Sequence, residues 1–272
     1  GTFYAQNRIV VPLKKISKPM RQAVVSREDR RFFRHAGVDI QGVMRAFVAT
    51  YVKKGATQGG SSLTQQYVKN VLLLQAQEDN DPIAEYHASE ETVARKLREM
   101  LIAVQMEKTY SKLEILQGYL NIAQFGRGIY GVEMAARRYF STTADKLDIV
   151  QAATIAAITK NPAAFDPSVE SNQKASQRER NIVLDLMYQE EYISQKQRDE
   201  AKAKPLKDTL KLQDAQAGCS ASGDAAFFCD YVTKKILNSK EFGKTIEERR
   251  SCCMRAASTS TRRWTSMRTL RR

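Results

Sequence analysis

Three times along this chain a short polar residue is followed, three positions later, by Gln or Glu, and an apolar run comes next. These are Ser62-x-x-Gln65, Ser111-x-x-Glu114 and Asp148-x-x-Gln151. The pattern is that of a capping box, in which two side chains satisfy free N–H groups of a first helical turn. It fixes helix starts, and the apolar residues after each recur at helical spacing, so the chain reads as mostly α-helical. Pro19 opens a helix over 19–31 with Met20, Ala23 and Val24 on one face, and His35-Ala36-Gly37 breaks the pattern. A second helix covers 39–53, with Ile40, Val43, Met44, Phe47, Val48 and Tyr51 apolar and Lys53-Lys54-Gly55 as its stop. Another runs from a cap at Ser89 to Tyr110, with Leu97, Leu101 and Val104 as its core stripe, and a polar amphipathic helix spans roughly 174–203. Residues 75–88 are polar and contain Pro82, so they read as an exposed loop. Residues 1–16 read as a short strand or an extended lead-in, and the Lys-, Gly- and Ser-rich stretch after Pro205 reads as a linker.

The length of 272 residues allows one large domain or two small ones. No apolar run approaches 18 residues, so no membrane span is expected in the chain as it stands. It opens at Gly1-Thr2-Phe3 without an initiator Met or a signal-peptide pattern, which reads as a fragment. The net charge is +14, but it is uneven: between Arg249 and Arg272 there are eight Arg, no Lys and no acid. The remaining +6 is weak support for a nucleic-acid binder, and no nucleic-acid motif accompanies it. The four Cys are Cys219, Cys229 and the adjacent Cys252-Cys253, and the only His are His35 and His87, so no zinc-ligand set emerges. On spacing alone, Cys219 and Cys229 could be a disulfide or two free thiols.

Three constellations could carry chemistry. Glu28-Asp29 ends a helix beside Phe32 and Phe33, which could desolvate a carboxylate as a general base requires, although an acidic pair among Arg30, Arg31 and Arg34 is often a solvated surface. Gly59-Gly60 followed by a helix start at Ser62 makes an anion site. Ser62, Gln66 and Lys69 share one face and suit a phosphate or pyrophosphate. The GxxxxGK[ST] loop is absent. Arg95 and Glu99 stand at i, i+4 with Lys96 beside them, usually a surface bridge, but a site if a second carboxylate faces it.

"EDRRFFRHAGVD", "GGSSLTQQYVKN", "RKLREMLIAVQMEKTYSKLEILQGYLN" and "FGRGIYGVEMAARRYF" occur in that order. Over residues 4–200 the chain resembles the family 51 peptidoglycan glycosyltransferases, the glycan-polymerising domain of class A penicillin-binding proteins. The resemblance implies a mostly α, lysozyme-like, two-lobed fold, with a head and a small membrane-facing jaw over 38–58. The glycosyltransferase domain is placed at 1–205, a linker at 206–248 and an aberrant basic tail at 249–272. It implies polymerisation of lipid II onto a growing glycan chain with release of undecaprenyl pyrophosphate. Glu28 would be the general base and Glu99 the second carboxylate. Asp29, Phe32 and His35 would shape the site. Ser62, Gln66 and Lys69 would line the donor groove, and Arg95 and Lys96 would help neutralise the leaving group. A divalent cation such as Mg2+ assists some members, and no metal ligand is assigned here. The expected setting is the extracytoplasmic face of a bacterial membrane, anchored by a preceding span, with a cell-wall synthesis complex as partner and no nucleic acid. That setting favours the Cys219–Cys229 disulfide.

Departures from the family pattern are Ser62 where Thr is usual, Gln117 where Glu is common, and a long insertion at 75–88. Ser171-x-x-Lys174 is a lone transpeptidase-like pair without SxN or KTG, so covalent penicillin binding is not expected of this chain. A lytic glycosidase is the alternative, against which the cationic groove argues, since a hydrolase has no pyrophosphate to stabilise. The tail "CCMRAASTSTRRWTSMRTLRR" is read as a frameshift. One allowed set of codons, taken one base earlier from Ser251, gives "LLYARGLDIYTTLDIDADAAA", a segment resembling the approach to a transpeptidase domain. The tail is then expected to be disordered and without function.

Overall fold

In a computed structural model of the chain, the described residues are 8–47, 60–79, 81–213, 226–245 and 248–249. Residues 48–58 of the expected jaw, Cys219 and nearly all of the basic tail lie outside them, as does the side chain of Cys229. Two compact units emerge, one over 8–213 and one that includes 226–245.

The described residues of the larger unit are mostly helical, and their only β pairing is an isolated bridge between Gln124 and Tyr130. Its centre is α8 (Ile149–Ile158), which has no charged residue and is buried on nearly every side. A helix apolar all round must be enclosed. Its alanines at 152, 153, 156 and 157 let neighbours approach closely. Around it pack α1 (Lys18–Glu28), α7 (Val132–Phe140) and α9 (Gln173–Gln189). The expected Asp148/Gln151 box closes its first turn. A second group is α3 (Leu63–Asp79) with α4 (Pro82–Ser89), α5 (Val93–Thr109) and α6 (Lys112–Ile122). Both remaining boxes form, at Ser62/Gln65 and Ser111/Glu114. α1 begins as expected, with Pro19 in its first turn and Ser17 as cap, and buries Met20, Ala23 and Val24.

Several expectations fail for local reasons. Residues 75–88 are not a loop: α3 runs to Asp79, and Asp81 starts α4 by accepting from Ile83 and Ala84 N–H groups at 3.0 and 2.9 Å. Asp before Pro82 is therefore a cap rather than a turn. Ser89 does not start α5, because its hydroxyl donates back to the Glu85 carbonyl (2.9 Å) within α4. Thr92 caps α5 instead. The 174–203 helix is two, α9 and α10 (Gln195–Ala203), separated at Glu191 with φ 58 and restarted by a Ser194/Gln197 box. Buried Arg180 ties α10 to α9 by donating to the Lys204 carbonyl (2.8 Å) at the helix's C-terminal end. The stripe expected on α5 is not core: Leu97, Leu101 and Val104 are 55%, 74% and 36% exposed, while Glu99 and Ala103 face inward. α2 (Ile40–Phe47) likewise exposes Ile40 and Met44.

The lead-in at 8–16 is extended with one 3-10 turn, not a strand. Asn121 brackets Val11 through its N–H and carbonyl, each at 2.9 Å, and Gln117 Oε1 accepts from Leu13 N–H at 2.7 Å. Gln117 thus has a structural use here. The compact unit runs past the expected boundary at 205: Leu206 in α11 (Leu206–Thr209) is buried, and Lys211 and Gln213 donate to the Tyr139 and Arg138 carbonyls. The stretch expected to be linker also holds α12 (Ala226–Asn238), with Phe227, Phe228 and Tyr231 exposed. Among the described residues no helix is long and apolar enough to cross a membrane.

Candidate active site

Glu28 is the last residue of α1, and the chain leaves the helix through an extended Asp29. This places its carboxylate in a cleft of about 1160 Å3 whose lining includes Lys69, Arg95, Lys96, Glu99, Thr159 and Glu190. One oxygen, Oε2, accepts from Gln66 Nε2 at 2.7 Å, and the other accepts from the Thr159 hydroxyl. Tyr119 donates to Gln66 Oε1 at 3.3 Å, so the amide nitrogen of Gln66 is the end left for Glu28. Burial, and secondarily the charge of Glu28, push the Tyr119 hydroxyl well above the usual phenol range, which keeps it a neutral donor.

Asp29 faces the other way. Its Oδ2 accepts from Leu63 N–H at 2.9 Å, at the start of α3, and lies 2.8 Å from His35 Nε2. Ser62 Oγ donates to the Gly37 carbonyl at 2.5 Å. Gly37 has φ +85, and a Cβ there would lie 2.7 Å from the Val104 nitrogen. Only glycine lets this segment lie on the α5 backbone. Asp29, His35 and Ser62 therefore brace the junction of α1, α3 and α5. The Ser62 hydroxyl, expected in the donor groove, is spent on Gly37 and on capping Gln65. Phe32, expected to shape the site, is fully buried in the core beneath Lys112 Nζ (4.5 Å from the ring centroid), Phe33 is exposed, and neither lines the cleft that holds Glu28.

Glu99 is 2% exposed on α5, with one oxygen paired to Arg95 and the other to Lys96 Nζ at 3.0 Å. Lys96 also donates to Ser61 Oγ, joining α5 to the segment before α3. Lys69 projects from α3 to the same place, and its ammonium has no hydrogen bond or ion pair among the described residues. Burial first, then the charge of Arg95, hold its pKa below the usual lysine value; Glu99 opposes this. Three cations facing one carboxylate make a site that an anion would relieve.

Thr159, Tyr119 and Ser61 escaped the sequence reading. Thr159 is hidden just past the end of an apolar run, and Tyr119 carries no signal of its own within its helix. Ser61 had the only signal, as neighbour of the capping Ser62. On the far wall, Glu179 accepts from Arg27 (2.9 Å) and Lys160 (3.1 Å), and Glu190 accepts from Arg30 (2.6 Å).

Residues 1–188 match the family model described as Transglycosylase. The chain belongs to the transglycosylase family. Its relatives include penicillin-binding protein 1A of Aquifex aeolicus (strain VF5), 38% identical over 88% of this chain and 30% of the relative. Penicillin-binding protein 1F of Bacillus subtilis (strain 168) is 31% identical over 88% of this chain and 34% of the relative. The chain thus spans about a third of the length of these curated relatives. A crystal structure of penicillin-binding protein 1A from Haemophilus influenzae covers 87% of this chain and is itself covered over 22%, at 19% identity with a TM-score of 0.45. That likeness is too weak to argue from. Within the transglycosylase domain, three of the four motifs converge on one region: the first supplies Glu28 and Asp29, the second Gln66 and Lys69, and the third Arg95, Lys96, Glu99 and Tyr119.

Proposed function

We propose that this transglycosylase domain polymerises lipid II into glycan strands. The observation that carries the reading is one cleft holding both Glu28, anchored at both oxygens, and the cluster of Lys69, Arg95 and Lys96. In the proposed step the acceptor's GlcNAc 4-hydroxyl gives its proton to the Glu28 carboxylate. Its oxygen bonds to C1 of the donor MurNAc as the bond from C1 to the pyrophosphate oxygen breaks, with inversion. Undecaprenyl pyrophosphate leaves with that electron pair beside the three cations, while Glu99 holds Arg95 and Lys96 in place. A hydrolase would have no use for such a cluster.

A divalent cation such as Mg2+ would find both Glu99 oxygens already paired with Arg95 and Lys96. The described residues also hold no group of three or more His, Cys, Asp or Glu able to bind a metal. The described residues therefore do not make a site for it. We also place the domain at the extracytoplasmic face of a bacterial membrane, beside other cell-wall synthesis proteins. The exposed apolar side chains Ile40, Met44, Leu97 and Leu101 support a bilayer-facing surface.

Labelled lipid II in a membrane mimic tests the reading. Wild-type chain should yield polymer and Glu28→Gln none. Polymer from Glu28→Gln removes Glu28 as base, and turnover of finished peptidoglycan without lipid substrate favours a lytic enzyme.

A further inference from the structure

Thr159 stands one residue past the end of α8, as its C-cap. Its Oγ1 has two acceptors in reach: Oε1 of Glu28 and, at 2.8 Å, the carbonyl of Ala156 one turn back in the same helix. A hydroxyl has one hydrogen and can serve only one of them at a time, though its oxygen can also accept. We propose that Thr159 is a positioning residue for Glu28, its hydrogen holding the ionised carboxylate and turning to Ala156 once Glu28 carries a proton. This rests on the reading of Glu28 as the base.

The two anchors of Glu28 differ in kind. Gln66 Nε2 can only donate, and the Tyr119 hydroxyl on its Oε1 keeps the amide from turning over. It keeps Oε2 an acceptor in either form and so leaves Oε1 as the oxygen that takes the proton. Thr159 suits both forms. Before proton transfer it donates to Oε1. With a proton on Oε1, the carboxyl donates to Oγ1, and the threonine hydrogen moves to the Ala156 carbonyl. No heavy atom need shift, because Oγ1 already sits between both acceptors. With one donor on each oxygen the carboxylate plane is fixed, and the remaining lone pairs are left for the acceptor hydroxyl. Without Thr159 the carboxylate is free to pivot about its Gln66 contact. The anchor is set by the fold, since α8 is almost wholly buried and its last turn has little room to move.

The test is steady-state polymerisation of labelled lipid II by the whole chain, with Thr159 changed to Val and to Ser. Valine keeps the shape and removes the hydroxyl. We expect Thr159→Val to lower kcat about 10- to 100-fold with KM changed less than about twofold, because a hydrogen bond to a charged group is lost while substrate contacts stay. Thr159→Ser should recover to within about threefold of wild type, since its hydroxyl can reach the same two acceptors. If Thr159→Val abolishes the cooperative thermal transition, Thr159→Ala is read in the same assay with the same expected loss. Wild-type kcat in the hydroxyl-free variant, or an equal loss in Thr159→Ser, overturns the proposal while leaving Glu28 as base. Polymer from Glu28→Gln instead overturns the reading of the base on which it rests.

Discussion

The two walls of the cleft are built from opposite materials. On one, α1 ends against α8 and α9 over an apolar core, and Glu28 is anchored by Thr159 at the end of the uncharged α8 as well as by Gln66 of α3. On the other, α5 buries a carboxylate and turns its leucines outward. Packing positions Glu28, the proposed base; charge pairing positions Arg95 and Lys96. A packed wall tolerates little movement, which suits a proton transfer that needs a hydrogen-bonded geometry. A charged wall costs stability in the empty state, because three cations crowd one carboxylate, and that cost is recovered when an anion arrives.

The largest expected effect is on the packed wall. Glu28→Gln keeps size and the Thr159 contact but cannot take a proton, so polymerisation should fall by about 10^3-fold or more with the thermal midpoint little changed. A matching loss of stability would show that the residue's role is structural. On the charged wall, Glu99→Gln should act through folding as well. It leaves Arg95 and Lys96 crowded and unpaired in a site where Glu99 is 2% exposed. Breaking a buried pair costs about 3 kcal/mol, readable by denaturant unfolding. Unchanged unfolding would mean that the two cations relax into solvent and that the pair does not brace the wall.

Lys69 separates function from stability most cleanly. Its ammonium is penalised by burial and by Arg95 in the folded chain. At neutral pH it is charged in both the folded and unfolded chain, so the folded state carries the whole penalty. The penalty fades as pH rises through the lowered folded value towards the model value of 10.5. Lys69→Met should therefore raise the thermal midpoint at pH 7, by progressively less as the pH rises towards 10.5. It should also weaken donor binding about tenfold, seen as a higher KM. A variant less stable than wild type at pH 7 would contradict the crowding.

The packed wall was largely legible in the sequence. Pro19, the three capping boxes and the uncharged run 149–158 announce their helices through local chemistry, and the structure follows them. Glu28 stands out in the sequence because its motif is long and ordered, and the structure places it in the cleft. Its anchors were not all found, because Thr159 lies 131 positions away and only the fold brings them together. The charged wall misled. Leu97, Leu101 and Val104 have the spacing of a buried stripe, yet Glu99 and Ala103 occupy the inner face. Periodicity gives the angular width of an apolar face, but not whether protein or something else covers it. The same limit applied to Asp81-Pro82 and Ser89, where a cap and a turn use the same residues.

The smallest expected effect tests that exposed stripe. If Leu101, 74% exposed, faced only water, replacing it should change nothing measurable; if it were core, Leu101→Gln would cost at least about 2 kcal/mol. We expect stability within about 0.5 kcal/mol of wild type, together with weaker retention on phosphatidylglycerol vesicles, because an apolar side chain that meets a bilayer contributes to partitioning rather than to folding. Ala103→Gln, four residues from Glu99 on the inner face, should do the reverse and unfold the helix seat without a specific effect on vesicle binding by the folded fraction. A large stability loss in Leu101→Gln would return the stripe to the core and remove the contrast between the two walls. Unchanged vesicle retention would leave the contrast standing and assign the bilayer contact to other residues.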